Sequence, residues 1–381
     1  MHELDLHQHL IGQQGSRRAL NTPVLVVDLD ALDRNIEAMA LFAAEHGIAL
    51  RPHAKTHKSV EIAHRQIAQG AVGLCCAKLG EAEAMADGGI ESLLITSPVV
   101  SAPAIERLVR LNARVGDLKA TADHPDNIQA LSAAAAALSS QLLAVVVDVD
   151  PGMHRTGVAT PEAAVELATL IDALPGLTFA GVQFYCGADQ HIEDYGARRA
   201  AIETRTAYLA GIIEQLKAAG LAPPIVTGSG TGTHAIDAAL GVFTEFQVGS
   251  YVFMDSQYGV CDLRGDGTPP FETALMVDAR VVSANQPGMA TVDAGLKAFA
   301  TEAGPPQILA GAAEGATYRF FGDEQGAVIA PKGSDALKLG ALLTFAAPHC
   351  DPTVNLYDAY HVVRGDTLVD IWRIQGRGRS R

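Results

Sequence analysis

Residues 48–69 read IALRPHAKTHKSVEIAHRQIAQ. An apolar run breaks into a cluster of cationic and titratable residues, and apolar residues then recur at helical spacing. That succession is a strand, its exit loop and the helix that follows, with the strand expected over 48–54 and the helix over 59–69. The unit recurs along the chain. Further β-rich runs lie at 72–76, 92–96, 117–121, 142–149, 178–184, 225–228 and 245–252, making eight with the first. Helical segments are expected between them at 80–88, 102–112, 125–137, 161–174, 198–219 and 233–240, and an earlier one at 30–46 with Asp30 as its N-cap. Runs such as LLAVVVDV (142–149) are almost continuously apolar, as strands buried on both faces must be.

Eight strands, each followed by a helix, imply an α/β chain folded as a (β/α)8 barrel of the TIM type, with a doubly wound open sheet as the alternative. After residue 262 the texture changes to Gly/Pro turns and short alternating runs (ALMVDARVVS, MATVDAG, LGALLTFAA, VNLYDAYHVVRG, DTLVDIWRI), which read as an antiparallel β domain. The expected division is therefore a barrel over 24–261 and a β domain built from 1–23 plus 262–381, with QGRGRSR (375–381) as a solvated tail.

The formal net charge is −15, so a phosphate-neutralising surface is not expected and nucleic acid is a poor partner. Any anion needs a local device. The five cysteines form no CxxC pair, the N-terminal stretch has no apolar core of the kind a secretory signal carries, and no run is long enough to span a bilayer. A cytoplasmic protein with reduced thiols is expected.

Barrel chemistry gathers where strands end. At the first strand's end, Arg51, His53 and Lys55 are spaced to project to one side, into the barrel mouth. A lysine among cations has its neutral amine favoured, and a neutral amine attacks carbonyls; a surface loop of basic residues is the plainer alternative. A lysine nucleophile points to pyridoxal phosphate, which also needs a phosphate cradle and partners for its ring. TGSGTGTH (227–234) follows the seventh strand and supplies Gly228, Ser229, Gly230 and Thr231; Gly249, Ser250 and Tyr251 follow the eighth. Anion sites at these two places recur in barrels, although a Gly/Ser/Thr run by itself is equally a turn. Arg155 lies just past the fifth strand, where it can instead pair with Asp148 or Asp150. Tyr185 ends the sixth strand and His191 lies in the loop beyond it. In the β domain, His349 and Asp351 are two apart; on an extended segment both face one way and can share a divalent ion, with Cys350 turned away.

The stretches TPVLVVDLDALDRNI, RPHAKTHKS, DVDPGMHRTGV, GVQFYCG, TGSGTGTHAID, VGSYVFMDSQYG, VDAGLKA and PHCDPTVNLYD together resemble the alanine-racemase-like (fold type III) pyridoxal-phosphate enzymes. The branch they resemble holds the D-threonine aldolases, D-3-hydroxyaspartate aldolases and D-serine dehydratases. The resemblance implies a pyridoxal 5'-phosphate barrel with a C-terminal β domain, working as a head-to-tail homodimer on a small D-β-hydroxy-α-amino acid. It implies Lys55 as the Schiff-base lysine, Arg155 near the cofactor's phenolic oxygen and Tyr185 facing its pyridine nitrogen. His349-x-Asp351 is similar to the aldolase pattern, whereas eukaryotic-type D-serine dehydratases carry His-x-Cys; an oxygen ligand favours Mn2+ or Mg2+. The implied reaction is metal-dependent retro-aldol cleavage to glycine and an aldehyde, with His191 or a metal-bound hydroxide as base. Dehydration of D-serine or 3-hydroxyaspartate is the alternative.

Overall fold

The computed structural model describes residues 3–381. The first strand, β1 (Val24–Asp28), is followed by β2 (Ala49–Leu50), β3 (Leu74–Cys76), β4 (Ser92–Ile95), β5 (Asp117–Ala122), β6 (Leu143–Val149), β7 (Leu177–Phe184), β8 (Ile225–Gly228) and β9 (Glu245–Phe246). Strands β2 to β9 form one parallel sheet in the order β2-β9-β8-β7-β6-β5-β4-β3. Its two ends meet: Val72 N–H reaches Leu50 O (2.8 Å), Cys75 N–H reaches Pro52 O (2.9 Å) and Ala54 N–H reaches Cys75 O (2.7 Å), with a parallel bridge between His53 and Cys75. All eight expected strands are present and the sheet curls into a barrel.

The helices fall where the periodicity places them, and their starts show why. Ser59 caps Val60–Ala68 through the Ile62 N–H, and Thr160 caps Pro161–Ala173 through the Ala163 N–H. The cap of Leu29–Glu45 is Asp28, not the expected Asp30: one Asp28 oxygen accepts both the Asp30 and the Ala31 N–H at 3.0 Å. Outward side chains of the strands, such as Leu74, Leu93, Leu118, Val145 and Val147, pack on helix residues such as Leu108, Leu131 and Ile171 in one buried cluster.

The remaining strands are β10 (Leu275–Gln286), β11 (Met289–Val292), β12 (Gln307–Ala310), β13 (Thr317–Phe320), β14 (Gly326–Ile329), β15 (Leu342–Ala346), β16 (Ala359–Arg364) and β17 (Thr367–Arg373). They build a second sheet in the order β13-β14-β11-β10-β1-β16-β17, with β15 and β12 branching from β10. All its pairings are antiparallel except that of β1 with β16. Strand β1 follows the residue-24 boundary expected to open the barrel, yet Val24 pairs with Asp278 and Val26 with His361, inside the β domain's sheet. The tail is not a free end either. Gln375 accepts the Val60 N–H at 3.1 Å and the Gly376 N–H reaches Lys58 O at 2.9 Å. No helix among the described residues is long and apolar enough to cross a membrane.

Candidate active site at the barrel mouth

Of the three residues aimed at the mouth, Lys55 reaches the β domain and Arg51 does not. Strand β2 ends at Leu50 and residues 54–57 form a turn, so alternation does not carry through to Lys55: Arg51 stays level with the strand starts at Ser92 and Glu245, while the turn takes Lys55 out to the β domain. On the floor Arg51 Nε lies 3.0 Å from Glu245 Oε2 and its Nη1 2.7 Å from Ser92 Oγ. The His53 Nε2 is 3.1 Å from Thr96 Oγ1, just past the end of β4. The barrel interior is a polar column: Thr227 Oγ1 donates to Glu245, Gln247 donates to Thr227 and to Gln183, and Gln183 donates to Asp148 at 2.9 Å.

Lys55 Nζ meets the β domain, 2.7 Å from Asp351 Oδ2. The expected neutral amine is overturned. The Asp351 carboxylate raises the Lys55 ammonium above lysine's usual value and outweighs burial, which works the other way. The supposed cationic neighbours carry no such field: burial lowers His53 well below the usual histidine range and takes His57 to about 3, so both are neutral. Lys58, at φ 53°, turns back to donate to the Lys55 carbonyl and lies 3.7 Å from Glu81. Burial pushes Asp351 up, and Lys55 more than reverses this, holding it below the usual carboxylate range.

The two glycine-containing turns lie against each other and against the lysine segment. Tyr251 N–H donates to Thr231 Oγ1 (3.0 Å), and its hydroxyl accepts from Gln66 Nε2 (3.0 Å), so Tyr251 braces the turn rather than presenting a donor to it. Gly228 has no room for a side chain against the Phe184 carbonyl, nor Gly230 against Gln190, and a Cβ on Gly249 would sit 2.7 Å from Thr56 Oγ1. The buried N–H groups of Gly230 and Thr231 have no acceptor among the described residues, and the buried Thr56 hydroxyl beside Gly249 has no partner. Ser229 holds φ 66° and Ser250 lies against Cys350. Free N–H groups on a turn that excludes side chains fit an anion.

Tyr185 directly follows β7, with the exposed Arg155 guanidinium 5.5 Å from its ring centroid, and both line a recess with Asp148, whose carboxyl burial raises to about 6. The ring of His191, a surface residue, lies against the buried Tyr258 ring, centroids 4.4 Å apart and planes tilted by 37°. Burial lowers its pKa; Asp255 and Asp351 act against this, His349 and Lys55 with it.

The β domain's pair is not on an extended segment. His349 is extended (φ −142°, ψ 123°), but Cys350–Val354 is helical. Cys350 is therefore buried with its thiol 3.6 Å from Asp351 Oδ1, not turned away, and His349 Nδ1 lies 2.7 Å from Glu302. Among the described residues no group of three or more His, Cys, Asp or Glu side chains could hold a metal. The pair offers two donors: the imidazole nitrogen that Glu302 leaves free, and a carboxylate kept ionised. Such a set suits a hard divalent ion whose other positions are filled by water or substrate.

The alanine racemase N-terminal domain family matches residues 27–257, and a putative serine dehydratase domain family matches residues 274–363. A D-threonine aldolase from Arthrobacter sp. is 41% identical over 95% of this chain and 94% of its own. A 3-hydroxy-D-aspartate aldolase from Paracoccus denitrificans is 39% identical over 95% and 93%. The crystal structure of D-threonine aldolase from Filomicrobium marinum superposes with a TM-score of 0.91 at 38% identity, covering 95% of this chain and 97% of that one. The chain belongs to the alanine-racemase-like family, in the branch that holds these aldolases.

Membership makes pyridoxal phosphate the cofactor of this alanine-racemase-like enzyme, and the turn at 228–231 with Thr56 fits its phosphate. Sequence reasoning missed Thr56, Glu302, Tyr258 and Asp255. Two of them were in plain sight in VGSYVFMDSQYG (248–259), whose Asp255 and Tyr258 follow the glycine turn directly.

Proposed function

We propose that the enzyme cleaves a D-β-hydroxy-α-amino acid of the D-threonine type into glycine and an aldehyde, using pyridoxal phosphate and a divalent ion, Mn2+ or Mg2+. The observation that carries this reading is Asp351, half of a metal-type donor pair, 2.7 Å from the Lys55 amine. Bound to Lys55, pyridoxal phosphate supplies an electron sink for the substrate's α carbon. Gly228, Ser229, Gly230, Thr231, Gly249 and Ser250 would hold its phosphate, with Tyr251 bracing their turn; Arg155 would lie near its phenolic oxygen, and Tyr185 would face the ring nitrogen without forcing it to stay protonated. An ion held by His349 and Asp351 would lower the pKa of a hydroxyl beside it.

His191 is the base for the substrate's β-hydroxyl proton. Its pKa is shifted down by burial, which favours the neutral imidazole a base needs, and its ring lies against that of Tyr258. As the proton moves to His191, the Cα–Cβ bond breaks, the hydroxyl oxygen becomes the aldehyde carbonyl and the electron pair stays on Cα until a proton reaches it. The same reading includes a cytoplasmic head-to-tail homodimer.

The second reading is dehydration to ammonia and a 2-oxo acid. A D-threo-3-hydroxyaspartate dehydratase from Delftia sp., 30% identical over 95% of this chain, favours it; His349-x-Asp351 in place of His-x-Cys disfavours it. Product analysis decides. Purified enzyme with cofactor and Mn2+ is given D-threonine, D-serine and D-3-hydroxyaspartate, with and without a chelator. Glycine plus aldehyde, lost on chelation, is expected; ammonia plus a 2-oxo acid would overturn the aldolase reading.

A further inference from the structure

Asp255 is 2% exposed and has none of the roles assigned above. Its Oδ1 accepts the Tyr258 N–H at 3.1 Å, an N-cap for the short helix Ser256–Gly259. A cap needs only one oxygen. The other, Oδ2, accepts the Cys350 N–H at 3.0 Å, in the peptide between His349 and Asp351 and 95 residues further along the chain. Alongside it, the Ser256 N–H donates to Ala347 O at 3.0 Å. The segment 347–351 is thus clamped to the turn that follows Gly249–Tyr251. The residue whose N–H Asp255 holds, Tyr258, is also the one His191 stacks on.

The side-chain contacts of the pair cannot do this job. Lys55 holds Asp351 only while its amine is free, and Glu302 is an exposed partner for His349. A buried carboxylate accepting two backbone N–H groups makes strong, charge-assisted bonds and leaves neither oxygen unpartnered. Resting on the functional reading above, we propose that Asp255 is a positioning residue. It fixes the His349–Asp351 backbone at a set distance from the Tyr258–His191 wall, so that ion and base address the same substrate hydroxyl.

The test is Mn2+ titration of the cofactor-loaded enzyme as wild type, Asp255→Asn and Asp255→Ala, with the visible absorbance of bound cofactor and the melting temperature recorded for each. Loss of a partner behind metal ligands typically lowers affinity 10- to 100-fold. Asp255→Ala is expected to lose Mn2+ affinity in about that range while keeping its cofactor absorbance. Asp255→Asn, which keeps one acceptor and turns a donor toward the other N–H, falls between and serves as the test if the alanine variant does not fold. In a His349→Ala background, Asp255→Asn should weaken Mn2+ binding no further. Wild-type Mn2+ affinity in Asp255→Ala overturns the proposal. So does parallel loss of absorbance and Mn2+ binding, which means a general fold role, and so does an undiminished effect in the His349→Ala background. If wild-type enzyme neither binds Mn2+ nor releases glycine, the functional reading fails first and takes this proposal with it; that failure is recognisable because it precedes any substitution.

Discussion

Two ion pairs stand on the same short stretch of chain, four residues apart. On the barrel floor, Arg51 meets Glu245 at 3.0 Å with both side chains 4% exposed; at the mouth, Lys55 meets Asp351 at 2.7 Å with the lysine 37% exposed. The groups around the floor pair are themselves bonded, as Ser92 donates to Asp117 and Thr227 donates to Glu245. Both of its ends belong to one sheet. The mouth pair joins two sheets, its lysine has one carboxylate partner, and that partner is also a candidate ion ligand. The floor pair is complete and structural, whereas the mouth pair is a holding arrangement that a ligand can replace.

The sharpest way to break that contrast is at Lys55. Lys55→Ala should abolish both turnover and the visible absorbance of bound cofactor. Lys55→Arg keeps a cation for Asp351 but cannot bond covalently to a carbonyl, so it should keep the stability and lose the same two signals. Absorbance and activity retained in either variant would remove Lys55 from the chemistry.

The floor should respond in the opposite way. Arg51→Met leaves Glu245 buried without its cation, a change that costs about 3–5 kcal/mol in comparable pairs. Urea unfolding should show that loss, while turnover per folded molecule with saturating cofactor stays near wild type. A variant of normal stability that fails to turn over would mean that the floor pair reaches the mouth through Gln247 and Gln183.

The difference between floor and mouth also marks what the sequence makes legible. Residue alternation could not place Arg51, His53 and Lys55 relative to one another, because the strand ends at Leu50 and Lys55 stands in the turn of residues 54–57. Apolar strands were readable even at the four residues of β4, while β12 and β13, equally short, are largely exposed and carry neither an apolar run nor a resolvable period. Lys55 and the glycine turn were found because barrel chemistry has known addresses. The Lys55–Asp351 contact joins residues 296 apart, and the local helix that reorients Cys350 reverses the side expected for it. Asp255 was hidden as an ordinary helix cap, since its second bond goes to a backbone group.

Acid should act on the mouth through His234, which closes the glycine turn with Nδ1 2.8 Å from Thr231 O. Burial lowers its pKa from 6.5 to about 4. The unfolded chain therefore takes up the proton first, and stability falls as pH drops from 6.5 to about 4, by about 1.4 kcal/mol per unit. His57, at about 3, and His361, at about 4, act in the same direction. Asp148 and Asp237, both raised by burial to about 6, oppose them, because the folded state then binds protons more tightly between 6 and 3.8. Comparing His234→Asn with wild type isolates one contribution. The gap between their melting temperatures should be constant above pH 6.5 and shift in favour of the variant toward pH 4. A constant gap throughout would show that the turn opens and lets His234 charge without unfolding.

The smallest effect expected is at Glu302, and it asks whether the mouth is held by its side chains or by its backbone. The carboxylate lies 2.7 Å from His349 Nδ1 but is itself 54% exposed, so water and salt weaken its charge. Glu302→Gln keeps an acceptor for the ring N–H and loses only the charge; Glu302→Ala loses both. Partners behind metal-ligating histidines usually contribute 10- to 100-fold in affinity, and an exposed one belongs at the lower end, about tenfold. Mn2+ titration should therefore rank wild type above Glu302→Gln and that above Glu302→Ala, with the first gap shrinking at high salt and the second unaffected. If all three bind alike, Glu302 does not orient His349, and the backbone clamp through Asp255 suffices. The mouth would then resemble the floor in its rigidity and differ only in offering atoms that have no permanent partner.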